Sequence, residues 1–124
     1  MWKRLVQRFT SVDPIKPITL EFMEMLEHTR TMSQRVHPNL FDQELNPIDS
    51  KEVYDLDVKV NKLERSIRKR IINHLNLSND KVSYCLLMMS IIKDAERMGD
   101  YLKNIYEVRA LTGAYIPPSH FRAE

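Results

Sequence analysis

The stretch that decides the fold runs over residues 53–75 and reads VYDLDVKVNKLERSIRKRIINHL. Its apolar residues recur at steps of three and four positions, which places them on one face of an α-helix. These residues are Val53, Leu56, Val60, Leu63, Ile67, Ile71 and Leu75. A lengthwise stripe of this kind is typical of helices that pack side by side at a crossing angle of about 20°. The stretch therefore predicts a helix bundle with antiparallel neighbours.

Six prolines divide the rest of the chain, and we expect them to mark its loops because proline disrupts a helix interior. They are Pro14, Pro17, Pro38, Pro47, Pro117 and Pro118. Between Pro17 and Pro38, a second apolar stripe predicts a helix over about 18–36, with Thr19 as its N-cap. This stripe consists of Phe22, Met25, Leu26, Thr29, Met32 and Val36.

Two more helices follow. Asp49 and Glu52 have the spacing of a capping box, so the second helix is expected to begin there and to end near Asn76. Ser78, Asn79 and Asp80 offer N-caps to the third helix, which runs over about 80–111 and ends at the C-cap Gly113. Its apolar face is broad, as the central, most buried helix of a bundle requires. That face comprises Cys85, Met88, Ile91, Ile92, Ala95, Gly99, Leu102, Ile105 and Tyr106.

Together these segments predict an all-α fold, an antiparallel three-helix bundle over residues 17–113, with a C-terminal tail over 114–124. Only two glycines occur in 124 residues, and such a composition favours long helices over a turn-rich sheet protein. A chain of this length is large enough to form one domain with its own hydrophobic core.

Residues 1–16 are expected to form a separate basic amphipathic segment with a short extra helix. Its apolar face consists of Trp2, Leu5, Val6 and Phe9. The basic residues Lys3, Arg4 and Arg8 lie between them in the sequence. Residues 1–9 would make peripheral contact with a membrane surface. A peptide this short binds bilayers weakly, so packing over the bundle or onto a partner subunit is an equal alternative.

Composition also limits the compartment and the partners. One cysteine, Cys85, allows neither an internal disulfide nor a thiolate zinc site. We expect a cytoplasmic location, because the N-terminal residues lack a secretory signal and no stretch has the roughly 20 apolar residues of a bilayer span. The net charge of +2 is nearly balanced. The basic run over 65–70 lacks interleaved exposed aromatics, so we expect no nucleic-acid binding.

Acidic residues at helical spacing are the candidate site. Glu96 and Asp100 lie one turn apart on one face of the third helix, beside the small residues Ala95 and Gly99. Gly99 costs roughly 1 kcal/mol relative to alanine, which would be offset if it allows close approach of another backbone or of a bound species. Two neighbouring carboxylates favour an oxygen-preferring cation. Alternatively, the basic residues Lys93, Arg97 and Lys103 neutralise both acids on a solvated surface.

A second polar row follows the core stripe of the second helix. It consists of Asp57, Asn61 and Glu64, and it borders the seam between helices. If the second and third helices are antiparallel, oxygen ligands from this row would meet Glu96 and Asp100. The alternative is a polar margin that fixes the helix register, with Arg65 and Arg68 as ion partners.

Two runs of this sequence resemble the signature of PhoU (phosphate-uptake regulator) domains. In residues 93–100, KDAERMGD, an acid-rich turn leads into Glu-Arg-hydrophobic-Gly-Asp. Residues 57–64, DVKVNKLE, are similar to the run on the other helix, where an acid precedes Val-Asn/Asp-x-Leu-Glu. The resemblance covers about 49–112 well and the first helix only by pattern.

The resemblance implies a helical bundle whose acid pairs bind iron or another divalent or trivalent metal ion, and a role in regulating phosphate transport. Glu96 and Asp100 match one acid pair of the family. Asp57 matches the first acid of the other pair, and Asn61 stands where its second acid is often found. These four residues are therefore the expected metal ligands.

The resemblance also bears on partners. Standard members hold two tandem three-helix units, so this single unit is expected to form a homo-oligomer and to bind a phosphate transporter or signalling protein. Apolar surface beyond one stripe supports assembly, and the residues concerned are Met23, Met88, Met89 and Met98. The alternative is a metal-free helical interaction or dimerisation module associated with a membrane transporter.

An enzyme is not expected. No Gly-rich phosphate loop, nucleophile turn or cofactor-binding motif occurs. The histidines, His28, His37, His74 and His120, lie on four segments, and none follows a Glu by three positions as in di-iron oxidases. Cys85 belongs to a run of core residues, where an inert buried thiol is the expected state.

Overall fold

The structure, a computed structural model, describes residues 13–41 and 44–117. Within these ranges it consists of three α-helices and no strand: α1 (Ile15–Phe41), α2 (Pro47–Leu77) and α3 (Val82–Thr112). The all-α prediction is therefore confirmed. The N-terminal amphipathic residues 1–12 and the last part of the tail, 118–124, lie outside the described residues.

Contacts across the bundle fix the direction of each helix. Glu21 near the start of α1 accepts a hydrogen bond from Ser66 late in α2, whereas Arg35 late in α1 pairs with Glu52 early in α2. The two helices are therefore antiparallel. The seam between α2 and α3 is also antiparallel, because Tyr54 bonds Glu107 and Asp57 bonds Lys103.

The remaining pair, α1 and α3, runs in parallel. Thr19 and Tyr84 share a hydrogen bond near the start of both helices, and the Arg109 Nε donates to the Asn39 carbonyl at 2.8 Å near their ends. Both helices are thus antiparallel to α2, which completes the expected three-helix bundle. In the part of the chain that the structure describes, no helix is long and apolar enough to cross a membrane.

The core is built from the predicted stripes of all three helices. Its fully or almost fully buried apolar side chains include Met25, Met32 and Val36 from α1, Val53, Val60, Ile67 and Ile71 from α2, and Cys85, Met88, Ile92, Ala95 and Tyr106 from α3. Met88 belongs to this core, so its assignment to exposed apolar surface was wrong. Met23 and Met98 are exposed as expected.

The prediction that every proline marks a loop was wrong for α1. This helix begins three residues earlier and ends five residues later than predicted, so Pro17 lies in its first turns and Pro38 lies inside it. Thr19 is not the N-cap, because its hydroxyl donates to the Ile15 carbonyl one turn back. Asp13 has the capping contact instead, accepting from the Ile15 N–H at 3.0 Å. A proline is tolerated in the first turn, where its missing N–H would have no partner.

The helix starts of α2 and α3 also differ from the prediction. Asn46 caps α2 by accepting from the Ile48 N–H, and Pro47 occupies the first helical position, so Asp49 lies inside the helix. Lys81 is the N-cap of α3, with a left-handed backbone and no side-chain capping bond. Gly113 is the predicted C-cap of α3, with φ of 67°.

A buried asparagine joins the ends of the helices. Asn39 donates from its amide to the Asp49 carboxylate at 3.0 Å and to the Arg35 carbonyl at 2.7 Å. Its amide oxygen accepts from the Asn46 N–H at 3.1 Å. This single side chain therefore holds the end of α1 against the start of α2.

The prediction that α3 is the most buried helix was also wrong. Beside its core face it exposes a second set of apolar side chains, which includes Leu86, Leu87, Met98, Tyr101, Ile105, Val108 and Leu111. The sequence shows that α3 is apolar on most sides, but only the packed structure shows that α1 and α2 leave part of it uncovered.

Candidate carboxylate site

The α2–α3 seam buries an acidic side chain of the predicted site. Asp57 is 8% exposed, and its Oδ2 accepts from the Lys103 Nζ at 3.2 Å. Its Oδ1 is buried and has no hydrogen-bond partner among the described residues. A buried carboxylate oxygen without a partner is costly and uncommon. The position of Asp57 is therefore set by the helix register, and one of its oxygens is available to a further ligand.

Glu96 and Asp100 form a hydrogen-bonded carboxyl pair on α3. Burial, followed by the hydrogen bond and the charge of Glu96, raises the pKa of Asp100. A hydrogen bond from Lys93, at 2.9 Å, is the main reason that the pKa of Glu96 is lowered. Of the two carboxyl groups, Asp100 is therefore the one that keeps its proton to the higher pH.

The charge of Asp57 also raises the pKa of Asp100, whereas Lys103 lowers it. The structure thus brings Asp57, Asp100 and Lys103 into electrostatic contact across the seam. The prediction that Lys93, Arg97 and Lys103 neutralise Glu96 and Asp100 is only partly confirmed. Lys93 pairs with Glu96, but Arg97 pairs with Asp94 at 3.6 Å and Lys103 pairs with Asp57 of α2.

Asn61 lies one helical turn after Asp57 along the same seam. It lines a surface depression of about 350 Å³ together with Val58, Glu64, Arg65 and Glu96. Glu64 pairs in the same helix with Arg68, which is one of the two ion partners that the polar-margin alternative named. Asn61 is therefore near Glu96, whereas Asp57 is near Asp100. Over residues 13–41 and 44–117, no cluster of three or more His, Cys, Asp or Glu side chains is arranged to hold a metal ion.

Gly99 packs between all three helices. A Cβ placed on it would lie 3.5 Å from the Val60 Cγ1, 3.8 Å from the Met32 Sδ and 4.0 Å from the Asp57 Oδ1. These are ordinary van der Waals separations. The expectation that glycine is needed here for close approach of another backbone is therefore not met, because a methyl group fits and the neighbours are side chains.

We expect Gly99→Ala to raise the free energy of unfolding by about 0.5–1 kcal/mol, because alanine is the better helix former and loses less backbone entropy on folding. Urea denaturation followed by circular dichroism would measure the change. Gly99→Leu is the control, since its larger side chain would collide with Met32 and Val60 and should destabilise. A loss of stability in Gly99→Ala would contradict the assigned packing.

The remaining candidate groups have structural roles. Cys85 is fully buried, and burial raises the pKa of its thiol, which disfavours the reactive thiolate as expected. His28 is within 3.4 Å of Glu24, His37 packs against the Phe41 ring, and His74 contacts the Asp80 carbonyl. His120 lies outside the described residues.

Lys103 is the site residue whose role sequence reasoning missed. Its spacing on α3 predicted a partner in the same helix, whereas its ammonium group pairs with Asp57 of α2. This hydrogen bond is the main reason that the pKa of Lys103 is raised. No signal in the sequence identifies the pair, because it depends on how far α2 and α3 slide along each other.

Comparison with known protein families identifies a domain in this chain. A family model described as PhoU domain matches residues 22–108, which include most of α1, all of α2 and most of α3. No curated protein and no solved structure matches the chain.

Proposed function

This chain belongs to the PhoU domain family, and on that premise we propose that it is a regulatory domain of phosphate transport. The observation that supports the proposal is that the match covers residues 22–108 and so includes both acidic runs on α2 and α3. A cytoplasmic position, where the domain would bind a phosphate transporter or a signalling protein, fits this role. The proposed action is binding rather than catalysis.

The regulatory role can be tested in cells of the source organism. We expect a strain that lacks this chain to lose the normal dependence of phosphate uptake on external phosphate, and we expect the parent protein to restore it. Uptake of radiolabelled phosphate in phosphate-rich and phosphate-poor medium is the measurement. An uptake profile that is identical with and without the chain would contradict the proposal.

Metal binding is a further part of this proposal. Asp57, Glu96 and Asp100 offer the oxygen ligands that hard cations prefer. The Asp57 Oδ1, which has no hydrogen-bond partner among the described residues, is a potential metal ligand close to Gly99. Asn61 would add a neutral oxygen from the Glu96 side. The ion would add positive charge to that of Lys93 and Lys103, which pair with Glu96 and Asp57. The chain's own residues would fix the helix seam around it.

The metal-free alternative also has an observation in its favour. Lys103 and Lys93 already compensate Asp57 and Glu96, at 3.2 Å and 2.9 Å. In that case the acids only fix the register of α2 and α3, and the domain acts as a helical interaction module associated with a membrane transporter.

Asp100→Asn separates these two proposals. The pKa of Asp100 is raised in the folded state. The contribution of this carboxyl group to folding stability is therefore fully present below its unfolded-state pKa and is lost as the pH rises through its folded-state pKa. At pH 7 the charged carboxylate therefore opposes folding. We expect Asp100→Asn to stabilise the metal-free protein at pH 7 by on the order of 1 kcal/mol and so to raise its melting temperature. The same substitution should abolish metal binding.

The measurement compares iron, zinc, manganese and magnesium contents of protein purified without chelator, and the melting temperatures of apo and metal-loaded forms. Asp94→Asn is the matched control, because Asp94 is an exposed aspartate of the same helix that pairs with Arg97 at 3.6 Å. No bound metal and no metal-dependent rise in the parent's melting temperature would leave only the interaction module.

We also propose a homo-oligomer, because Met98, Tyr101 and Val108 leave an exposed apolar face on α3. Sedimentation velocity at tens of micromolar protein should show a dimer or larger species. A monomer over that range would contradict this part of the proposal and would leave the regulatory role untouched.

A further inference from the structure

A groove of about 520 Å³ lies between the parallel helices α1 and α3. It is lined by residues that include Leu26, Arg30, Gln34, Met98, Leu102 and Ile105. We call this surface the α1/α3 groove. The groove is left open because a three-helix bundle covers α1 and α3 from one side only, through α2.

The groove continues upward toward the start of both helices. Leu87 lies 18 residues before Ile105, which is five full helical turns, so both side chains project in the same direction from α3. Met23 lies two turns before Arg30 on α1 and likewise projects toward the groove. Both are large apolar side chains in water: Met23 and Leu87 are each 60% exposed. The upper groove, formed by Met23, Leu26, Leu87 and Ile91, is therefore an apolar surface without a cover among the described residues.

We propose that residues 1–12 cover this upper groove as a fourth helix, antiparallel to α1 and α3. The described chain begins at Asp13, at the upper end of α1, where the Asp13 carboxylate caps the Ile15 N–H. A chain that turns back at this point enters the groove directly. This tether gives the segment a high effective concentration at the groove, which a separate partner lacks.

Residues 1–12 are long enough to cover the upper groove but too short to reach the lower end of α3. Twelve helical residues extend about 18 Å. Leu26 lies eleven residues after Ile15, about 16 Å along α1 by the same rise, so a helix of twelve residues ends beside it. Val108, near the lower end of α3, lies a further three turns or more away and is out of reach.

The sequence of the segment also fits. Trp2, Leu5, Val6 and Phe9 follow the spacing of one helical face, which would lie against Met23, Leu26, Leu87 and Ile91. An antiparallel register places Phe9 at the level of Thr19 and Tyr84, whose hydroxyls bond each other, and Trp2 at the level of Leu26. Lys3, Arg4 and Arg8 would then face a rim that carries the exposed carboxylates of Glu27 and Asp94.

Trp2 is the only tryptophan of the chain, so its fluorescence reports on the segment directly. In the parent protein we expect blue-shifted emission and weak quenching by acrylamide, both independent of protein concentration and of added vesicles. Leu87→Glu should shift the emission to longer wavelength and raise the quenching constant severalfold, because a charge in the groove opposes docking of an apolar face. Met23→Glu, on the other wall, should do the same.

Leu86→Glu is the matched control. Leu86 is also 60% exposed and is the neighbouring residue of the same helix, but it projects about 100° away from the direction of Leu87 and hence outside the groove. It should leave Trp2 protected. Circular dichroism would verify that all three variants keep the parent's helicity.

Four outcomes would overturn the proposal. They are a Trp2 that is fully accessible to acrylamide in the parent, equal effects of Leu86→Glu and Leu87→Glu, protection that appears only as the protein concentration rises, and protection that appears only with anionic phospholipid vesicles. The third outcome would assign the groove to a second copy and the fourth would assign the segment to a membrane surface.

Discussion

Lys103→Met should lower the free energy of unfolding by about 2 kcal/mol at pH 7, because it removes the lysine that pairs with the buried Asp57. Removing one member of a buried ion pair costs about 3–5 kcal/mol. The lower figure is expected here because Lys103 is 27% exposed and the pair is partly screened by water. Urea denaturation of the metal-free protein would measure the loss.

The pH dependence of this contribution has a defined sign. The folded-state pKa of Lys103 is raised, so the stabilisation is fully present below the unfolded lysine pKa and is lost as the pH rises through the folded value. At pH 7 it is complete. The difference between the parent and Lys103→Met should therefore stay constant through neutral pH and shrink at strongly alkaline pH.

Lys93→Met is the matched control for this prediction. Lys93 pairs with Glu96 on the same helix, but it is 46% exposed, and surface pairs contribute only about 0–1 kcal/mol. Adding Asp57→Asn to Lys103→Met should recover much of the loss, since a neutral amide costs less to bury than an unpaired charge. Equal losses in Lys103→Met and Lys93→Met would show that Asp57 is not buried in this seam.

Asn39→Ala should cost more, about 3 kcal/mol, because it removes three hydrogen bonds of roughly 1 kcal/mol each and leaves their partners unsatisfied. The partners are the Asp49 carboxylate, the Arg35 carbonyl and the Asn46 N–H. The bond from Arg109 goes to the Asn39 backbone carbonyl and should survive. The expected result is a lower urea midpoint with an unchanged m-value.

Asn104→Ala is the control, because Asn104 is an exposed asparagine of α3 and a surface substitution of this kind changes stability by about 0.5 kcal/mol or less. Asn39→Asp tests the network in a second way. It keeps the size of the side chain but places a second carboxylate within 3.0 Å of Asp49, so it should be no more stable than Asn39→Ala at pH 7. Stability equal to that of the parent in both variants would contradict the network.

The sequence determined the class of fold and most of the core. Of the predicted α2 stripe, Val53, Leu56, Val60, Ile67 and Ile71 are buried and Leu63 is partly buried. Met25, Met32 and Ile92 are buried as predicted. A stripe is a property of a single helix, because the 3.6-residue period brings its members to one side before any partner is present. For the same reason the adjacent positions of Glu96 and Asp100, and the C-cap at Gly113, could be predicted locally.

Helix ends were predicted less well, because a proline or a capping residue has a local preference that its surroundings can override. Pro38 lies inside α1 where the neighbouring Asn39 is buried and donates to Arg35 and Asp49. Thr19 resembles an N-cap in sequence, but Asp13 takes that role and the Thr19 hydroxyl bonds Ile15 and Tyr84 instead.

Only the tertiary structure decided which side chains meet between helices and which apolar faces stay open. Lys103 has acids within reach on its own helix, yet it pairs with Asp57, because the register of α2 against α3 places the two ends together. Leu87 and Ile92 are both large apolar residues in the same apolar stretch of α3, but Ile92 is fully buried and Leu87 is 60% exposed. Periodicity states which residues share a face, whereas burial and pairing depend on the relative positions of three helices, which no single segment encodes.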